Sequence, residues 1–248
     1  MDAQLDRDAA EFVEGMLRIM DRKHHPFWDH LHSPRATHAE WIWHLRQEWA
    51  VYVRDFPAYL RAIHERCPVE PVRHDLMENI LEEEAGAVSG AGSHAELFLR
   101  MVDGFRAPRG LFDRVPLLSE AEDYRGFLDS SAKGPWHIGA AVLTVFVEGS
   151  VQDRAEVTNG HAPAQQTEDD PFQRHPLVLY QRLHPSALEL KRVHRRVEGG
   201  HRRDAYRALA GYVTDHDDRD DVLRAVERAR ALWMRYRDAV AETASKAA

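Results

Sequence analysis

WHIGAAVLTVFVEGSV, residues 136–151, is too apolar for an ordinary surface helix, yet it carries one acid, Glu148. At helical spacing Ile138, Ala141, Val145 and Glu148 share one stripe, so the acid occupies a position that belongs to the core. A buried carboxylate is costly unless it is protonated, paired with a cation or bound to a metal. Outward from this segment, apolar residues recur at helical intervals almost everywhere, and no alternating strand with a hairpin turn is evident. The expectation is an all-α protein with acids directed into its interior.

Flanking segments repeat the theme. In LMENILEEEAG, residues 76–86, Leu76, Ile80 and Glu83 fall on one helix face, with Glu82 and Glu84 on either side. Helix phase selects Glu83 from the three. In HRRVEGGH, residues 194–201, His194, Glu198 and His201 share a stripe, although Gly199 and Gly200 each weaken a helix by about 1 kcal/mol relative to Ala. His94 opens another helix behind Ser93, a residue suited to N-capping. Carboxylates from facing helices, with histidines one turn apart, are how bundles hold two iron or manganese ions. Mixed N and O donors without thiolate argue against structural zinc. Each piece has an ordinary structural explanation: an acid paired with arginine, a solvated helix face or a capping histidine. Their joint occurrence favours the metal.

The remaining chain reads as further helices. One is expected over residues 5–21, with Leu5, Phe12, Met16 and Met20 inward, ending before Pro26. Thr37 and Glu40 form a capping-box signature before the stripe Trp41, Leu45, Trp49 and Tyr52, and Pro57 bends the run that continues to Cys67. Further helices are expected over 120–130 and from Pro185 towards Asp215. The last covers 220–244, with Val222, Val226, Ala229, Trp233 and Tyr236 as its seam. Residues 152–175 turn polar and read as a loop or lid. No linker divides the 248 residues, so one domain over 1–248 is expected.

With 30% charged residues and a formal net charge of −8, the chain lacks the clustered basic surface of a nucleic-acid binder. A single cysteine, Cys67, rules out an intramolecular disulfide framework and points to a reducing compartment. No signal peptide or membrane-spanning run is apparent, and a cytoplasmic protein is expected.

These motifs together resemble the heme-oxygenase-like diiron oxidases and oxygenases, also called iron-containing redox enzymes. HPFWDHL and YVRDFPAYLRAI look like that family's opening helices, and ENILEEEAG followed by SHAELF is similar to its Asn-x-x-Glu-Glu segment with a later histidine. VFVEGS resembles the central helix that supplies a Glu, and HRRVEGGH its His-x3-Asp/Glu-x2-His segment. The resemblance implies a heme-oxygenase-like helical bundle of about seven or more helices, without heme. It implies metal ligands at Glu83, His94, Glu148, His194, Glu198 and His201. Glu198 stands where many members have Asp, and the gap from Glu148 to His194 is longer than the family's.

The implied cofactors are two Fe(II) ions, with manganese as the alternative, and O2 as co-substrate. The implied activity is oxidation of a small organic substrate, by N-oxygenation of an amine or oxidative carbon–carbon cleavage of an amino- or fatty-acid-like molecule. An external electron donor and a homodimer are the expected partners, with no nucleic acid and no membrane. Trp136 and Phe146 are candidates for an apolar pocket wall, with core packing the favoured role of each. The rival readings are a metal-free enzyme of the same fold, like pyrroloquinoline quinone synthase or thiaminase II, and a non-catalytic helical binding protein.

Overall fold

The computed structural model describes residues 2–159 and 171–247, and no strand occurs among them. The side chains of Leu5, Glu198 and His201 lie outside the described residues. The helices are α1 (Asp2–Met20), α2 (Pro26–Leu31), α3 (His38–Glu48), α4 (Phe56–Arg66), α5 (Glu70–Ala85), α6 (His94–Gly104), α7 (Ser119–Ala132), α8 (Trp136–Ala140), α9 (Asp153–Asn159), α10 (Pro176–Leu179), α11 (Glu189–Tyr212) and α12 (His216–Ala247). Two π-helical segments, Trp49–Val53 and Ala141–Val147, extend α3 and α8.

Local chemistry accounts for the boundaries. Thr37 accepts from the Glu40 amide at 3.2 Å while the Glu40 carboxylate accepts from the Thr37 amide at 2.7 Å, which closes the capping box. Pro26 sits in the first turn of α2, where its missing N–H costs nothing. Gly86 ends α5 with φ 63°, a left-handed conformation that glycine adopts without strain. A Cβ there would collide with the backbone of Gly92. That close approach folds residues 87–93 back, so His94 starts α6 beside the end of α5.

The segment containing Glu148 lies at the centre, packed against α7, α11 and α12. Ala141, Val142, Leu143, Val145 and Phe146 are fully buried, and the α12 seam of Val222, Val226, Ala229, Trp233 and Tyr236 is buried too. Phe12, Met16 and Met20 of α1 complete this side of the core. Two expectations change. The helix of residues 136–151 becomes π-helical after Ala140, so its apolar stripe does not keep an α-helical period, and Glu148 is its C-terminal cap. The polar stretch 152–175 begins as a helix, α9, because Asp153 is buried and accepts from the Ser150 amide at 2.7 Å. Residues 160–170 of that stretch lie outside the described residues.

Candidate metal centre

The three consecutive acids at the end of α5 have three different environments. Glu84 is paired with Arg61 at the surface. Glu82 is fully buried, and its Oε2 accepts from the amides of Val88 at 2.7 Å and Ser89 at 3.0 Å. Burial pushes its carboxyl up, but the hydrogen bonds from Ser89 and Val88 outweigh this and hold it below the usual value. Its Oε1 faces His94 Nε2 at 3.4 Å. Glu83 lies against the other ring nitrogen, Oε1 to His94 Nδ1 at 2.7 Å, and lines a cavity of about 250 Å³ together with His94. The imidazole is therefore held between two carboxylates, one tied into the loop and one facing the cavity.

Glu148 reaches the same cavity from the end of the central segment. Asn79 of α5 donates to Glu148 Oε1 at 2.8 Å, joining the two acid-bearing helices. The chain end behind Glu148 is fastened by Lys23, which donates to the carbonyls of Phe146, of Val147 at 3.2 Å and of Gly149 at 2.6 Å. Such a cation on the last carbonyls of a helix satisfies groups that would otherwise lack partners.

From α11, His194 lines the cavity with its ring centroid 5.0 Å from that of His94. Its accessible surface faces a cavity, and its pKa is pressed down to about 3, by burial first and then by the neighbouring His94. The backbone stays helical through Gly199 and Gly200, and the side chains of Glu198 and His201 lie outside the described residues. The structure thus brings Glu83, His94, Glu148 and His194 to one cavity. Among the described residues, the set whose donor atoms all lie within 4.8 Å of one another is a different one, His74, Asp75 and Glu78, exposed on α5. Exposed acids of this kind are ordinary helix surface.

Sequence reasoning missed the opposite wall. Glu48 and Tyr52 line the cavity, and Arg237 of α12 donates to Glu48 Oε1 at 2.6 Å and to His44 Nδ1 at 3.0 Å. Because arginine can only donate, His44 Nδ1 must accept, which places the ring proton on Nε2, 3.2 Å from Glu48 Oε2. Tyr52 donates to Glu48 Oε1 at 2.6 Å. Burial pushes the Glu48 carboxyl up, and His44 and Arg237 bring it well below its ordinary value. The same burial and the Glu48 charge push the Tyr52 hydroxyl well up. The signal was the spacing of His44, Glu48 and Tyr52, one turn apart, within a segment read as apolar. Its partner Arg237 is distant in sequence.

Trp28, Phe56, Phe98, Met101 and Leu190 supply the apolar lining. Trp136 and Phe146 are core-packing residues, the role favoured for both from the sequence: Phe146 is fully buried under Lys23, 4.6 Å from ring centroid to ammonium, and Trp136 packs on the core at the start of α8. Cys67 is buried at the end of α4, its thiol 3.6 Å from the Val69 carbonyl, and burial pushes that thiol up.

The chain matches the sequence model of a family described as "Iron-containing redox enzyme" over residues 43–234. It is 29% identical over 94 residues to a 4-aminobenzoate synthase of Chlamydia muridarum (strain MoPn / Nigg), covering 37% of this chain and 38% of that protein. A 4-aminobenzoate synthase of Chlamydia pneumoniae is 38% identical over 40 residues, 16% of this chain and 18% of the relative. These matches therefore span well under half the length of either relative. A TenA homolog from Pseudomonas syringae pv. tomato str. DC3000 shares the fold, with a TM-score of 0.60 over 94% of this chain and 89% of that one, at 13% identity. The all-α, heme-oxygenase-like bundle anticipated from the sequence is the fold of the chain.

Proposed function

The chain belongs to the iron-containing redox enzyme family, and on that premise we propose that it is a non-heme diiron oxidase or oxygenase acting on a small organic substrate. The observation that carries this reading is that Glu83, His94, Glu148 and His194, from four separate segments, line one cavity. Their donor chemistry fits iron: carboxylates and imidazoles, with the one thiol, Cys67, placed elsewhere. A ring as easily kept neutral as His194 suits a ligand, since a protonated imidazole cannot coordinate. Glu198 and His201 complete the proposed set from the next turns of α11. Manganese is the alternative ion.

When bound, ferrous ions supply electrons and open coordination positions for O2. The protein's own part is positional. Glu82 accepts at His94 Nε2 and so turns Nδ1 toward Glu83 and the cavity, the usual way an outer carboxylate fixes a ligand's tautomer. Asn79 fixes the rotation of the Glu148 carboxylate. Trp28, Phe56, Phe98 and Met101 keep water from the reacting molecule, and Tyr52 keeps its proton at the cavity wall, hydrogen-bonded to Glu48.

The substrate is proposed to undergo amine N-oxygenation or oxidative carbon–carbon cleavage of an amino- or fatty-acid-like molecule. An external electron donor and a homodimer are part of the same proposal. A thiaminase-like alternative would need a nucleophilic thiol in the cavity, and Cys67 is not among the residues that line it.

The reading is tested by reconstituting the full chain with Fe(II) under anaerobic conditions and measuring retained iron by ICP-MS after desalting. Wild type should retain two ions per chain, and Glu148→Ala and His194→Ala should each lose retained iron without unfolding. Unchanged retention in both variants would remove the proposed site.

A further inference from the structure

The cavity of about 250 Å³ adjoins a second chamber of about 440 Å³, and Trp28, Glu48, Tyr52, Val147 and His194 wall both. Exposed His24 and Val151 mark the open side of this outer chamber. Small-molecule sites run from roughly 300 to 1,000 Å³, a range that the outer chamber enters.

The charged groups around the outer chamber are engaged with protein. Lys23 donates to three carbonyls, His24 faces Asp29 at 3.1 Å, and Arg237 donates to Glu48 and His44. Lys191 and His194 have interactions of their own. A charged ligand group would have to displace an existing partner, so recognition falls to neutral donors and to apolar surface.

Those neutral groups are aromatic: Trp28, Tyr52, Tyr124 and Trp233 line the chamber. Tyr52 donates to Glu48 at 2.6 Å, and buried Tyr206, elsewhere in the fold, donates to Asp153 at 3.1 Å. Tyr124 differs. It is 1% exposed, yet none of the described residues hydrogen-bonds its hydroxyl. Its ring lies stacked on Tyr236, centroids 5.8 Å apart, and burial pushes its hydroxyl well up, so the group keeps its proton as a donor. The indoles repeat the contrast. Trp41 donates to the Leu31 carbonyl at 3.0 Å and Trp43 to Thr243 Oγ1 at 2.9 Å, whereas no described residue accepts from the indole N–H of Trp28 or Trp233. Buried phenols and indoles ordinarily find a partner. Unused donors on aromatic walls suit an acceptor carried by a flat ring.

We propose that the outer chamber binds the aromatic end of the substrate, a flat ring bearing a neutral acceptor that takes a hydrogen bond from Tyr124, while a short arm of the same molecule passes Tyr52 toward Glu83, His94, Glu148 and His194. The inference rests on the metal-site reading for what the arm meets, and not for how the ring is held. Ring-on-ring contact adds to apolar burial, and the phenol then selects among rings by their acceptor. An unbranched acyl chain offers neither, so of the proposed substrates the amino-acid-like class, carrying an aryl group, fits the chamber and the fatty-acid-like class does not.

The test titrates the full chain, stripped of metal, with coumarin, naphthalene and 1-octanol under saturation-transfer NMR. Coumarin and naphthalene share a fused-ring outline, and only coumarin carries a carbonyl. Wild type should bind coumarin most tightly and 1-octanol least. Tyr124→Phe keeps the ring and removes the donor. It should weaken coumarin by about threefold to tenfold, the loss expected for one neutral hydrogen bond, and leave naphthalene unchanged. Trp233→Leu removes part of the aromatic wall and should weaken both ring compounds. With a thermal melt on each variant, it keeps the proposal testable if Tyr124→Phe folds poorly.

Equal coumarin affinity in wild type and Tyr124→Phe, equal losses of coumarin and naphthalene in that variant, ring affinities untouched by Trp233→Leu, or tightest binding of 1-octanol would overturn the proposal. So would a wild type that binds neither ring. Ferrous titration of Tyr124→Phe separates the two readings. Normal iron retention with weakened coumarin binding supports the aromatic site. Tyr124-dependent coumarin binding by a wild type that retains no iron would leave the aromatic site standing and sink the metal site.

Discussion

Glu82 and Glu83 are chemically identical neighbours, yet one accepts loop amides and the other faces a cavity. The difference arises because the Gly86 turn folds the following loop over Glu82 and leaves Glu83 on the interior side. If Glu82 orients His94, then Glu82→Gln should weaken ferrous affinity by about 10- to 100-fold, as removing an outer-sphere partner of a ligand does. Glu84→Gln, at the exposed pair with Arg61, should leave that affinity unchanged. Competition against a chromogenic chelator measures both, and equal affinities would mean that Glu82 is only a loop cap. Helix phase in the sequence pointed to Glu83, since Leu76, Ile80 and Glu83 do share a buried face. It could not reveal what Glu82 does, because its partners come from a turn whose geometry is set by Gly86 and Gly92.

At the scale of elements, α3 and α12 are joined by the buried set His44, Glu48, Tyr52 and Arg237. Removing one member leaves a buried charge without its counterpart. Arg237→Met should therefore cost about 3–5 kcal/mol of stability. Changing Glu48→Gln in that background should recover part of it, as read by urea denaturation of the metal-free chain. An additive double variant would show that the groups are not coupled.

The helix ends were legible from short-range chemistry. Thr37 with Glu40 and Ser93 with the Glu96 amide cap as their residue types require. The π-helical turn after Ala140 was not legible, because Ile138, Ala141 and Val145 satisfy an α-helical stripe equally well on paper. Arg237 was hidden too, since it reads as one more charge between Arg235 and Asp238, and its acceptor lies 189 residues away.

For the whole molecule, buried imidazoles make stability depend on pH. His175 titrates in the folded chain at about 4 and His194 at about 3, against 6.5 when unfolded, with burial the leading cause for each. Between those values the unfolded chain binds protons that the folded chain refuses, so acidification favours unfolding. The stability present above pH 6.5 should fall progressively toward pH 4, by at most about 1.4 kcal/mol per pH unit for His194 and by less for the half-buried His175. Glu48 and Glu82, whose carboxyls are held low in the fold, add to the loss in the same direction. Urea midpoints of the metal-free chain across this range should decline, and a flat profile would mean the rings are solvated. No described helix is long and apolar enough to cross a membrane.

All-α architecture followed from the periodicity of apolar residues, which reports burial directly. The convergence of α5, α6, α11 and the central segment on one cavity required a resemblance to known proteins, because no local pattern encodes which helix faces meet.

The central claim, that these helices hold a pair of oxygen-reactive irons, is tested most directly by titrating the metal-free chain with Fe(II) anaerobically and then mixing it with oxygenated buffer under stopped-flow absorbance. The account predicts saturation at two ions per chain, followed by oxygen-dependent absorbance changes that Glu148→Ala abolishes. Saturation at no stoichiometric level, or an oxygen response identical in wild type and Glu148→Ala, would contradict it.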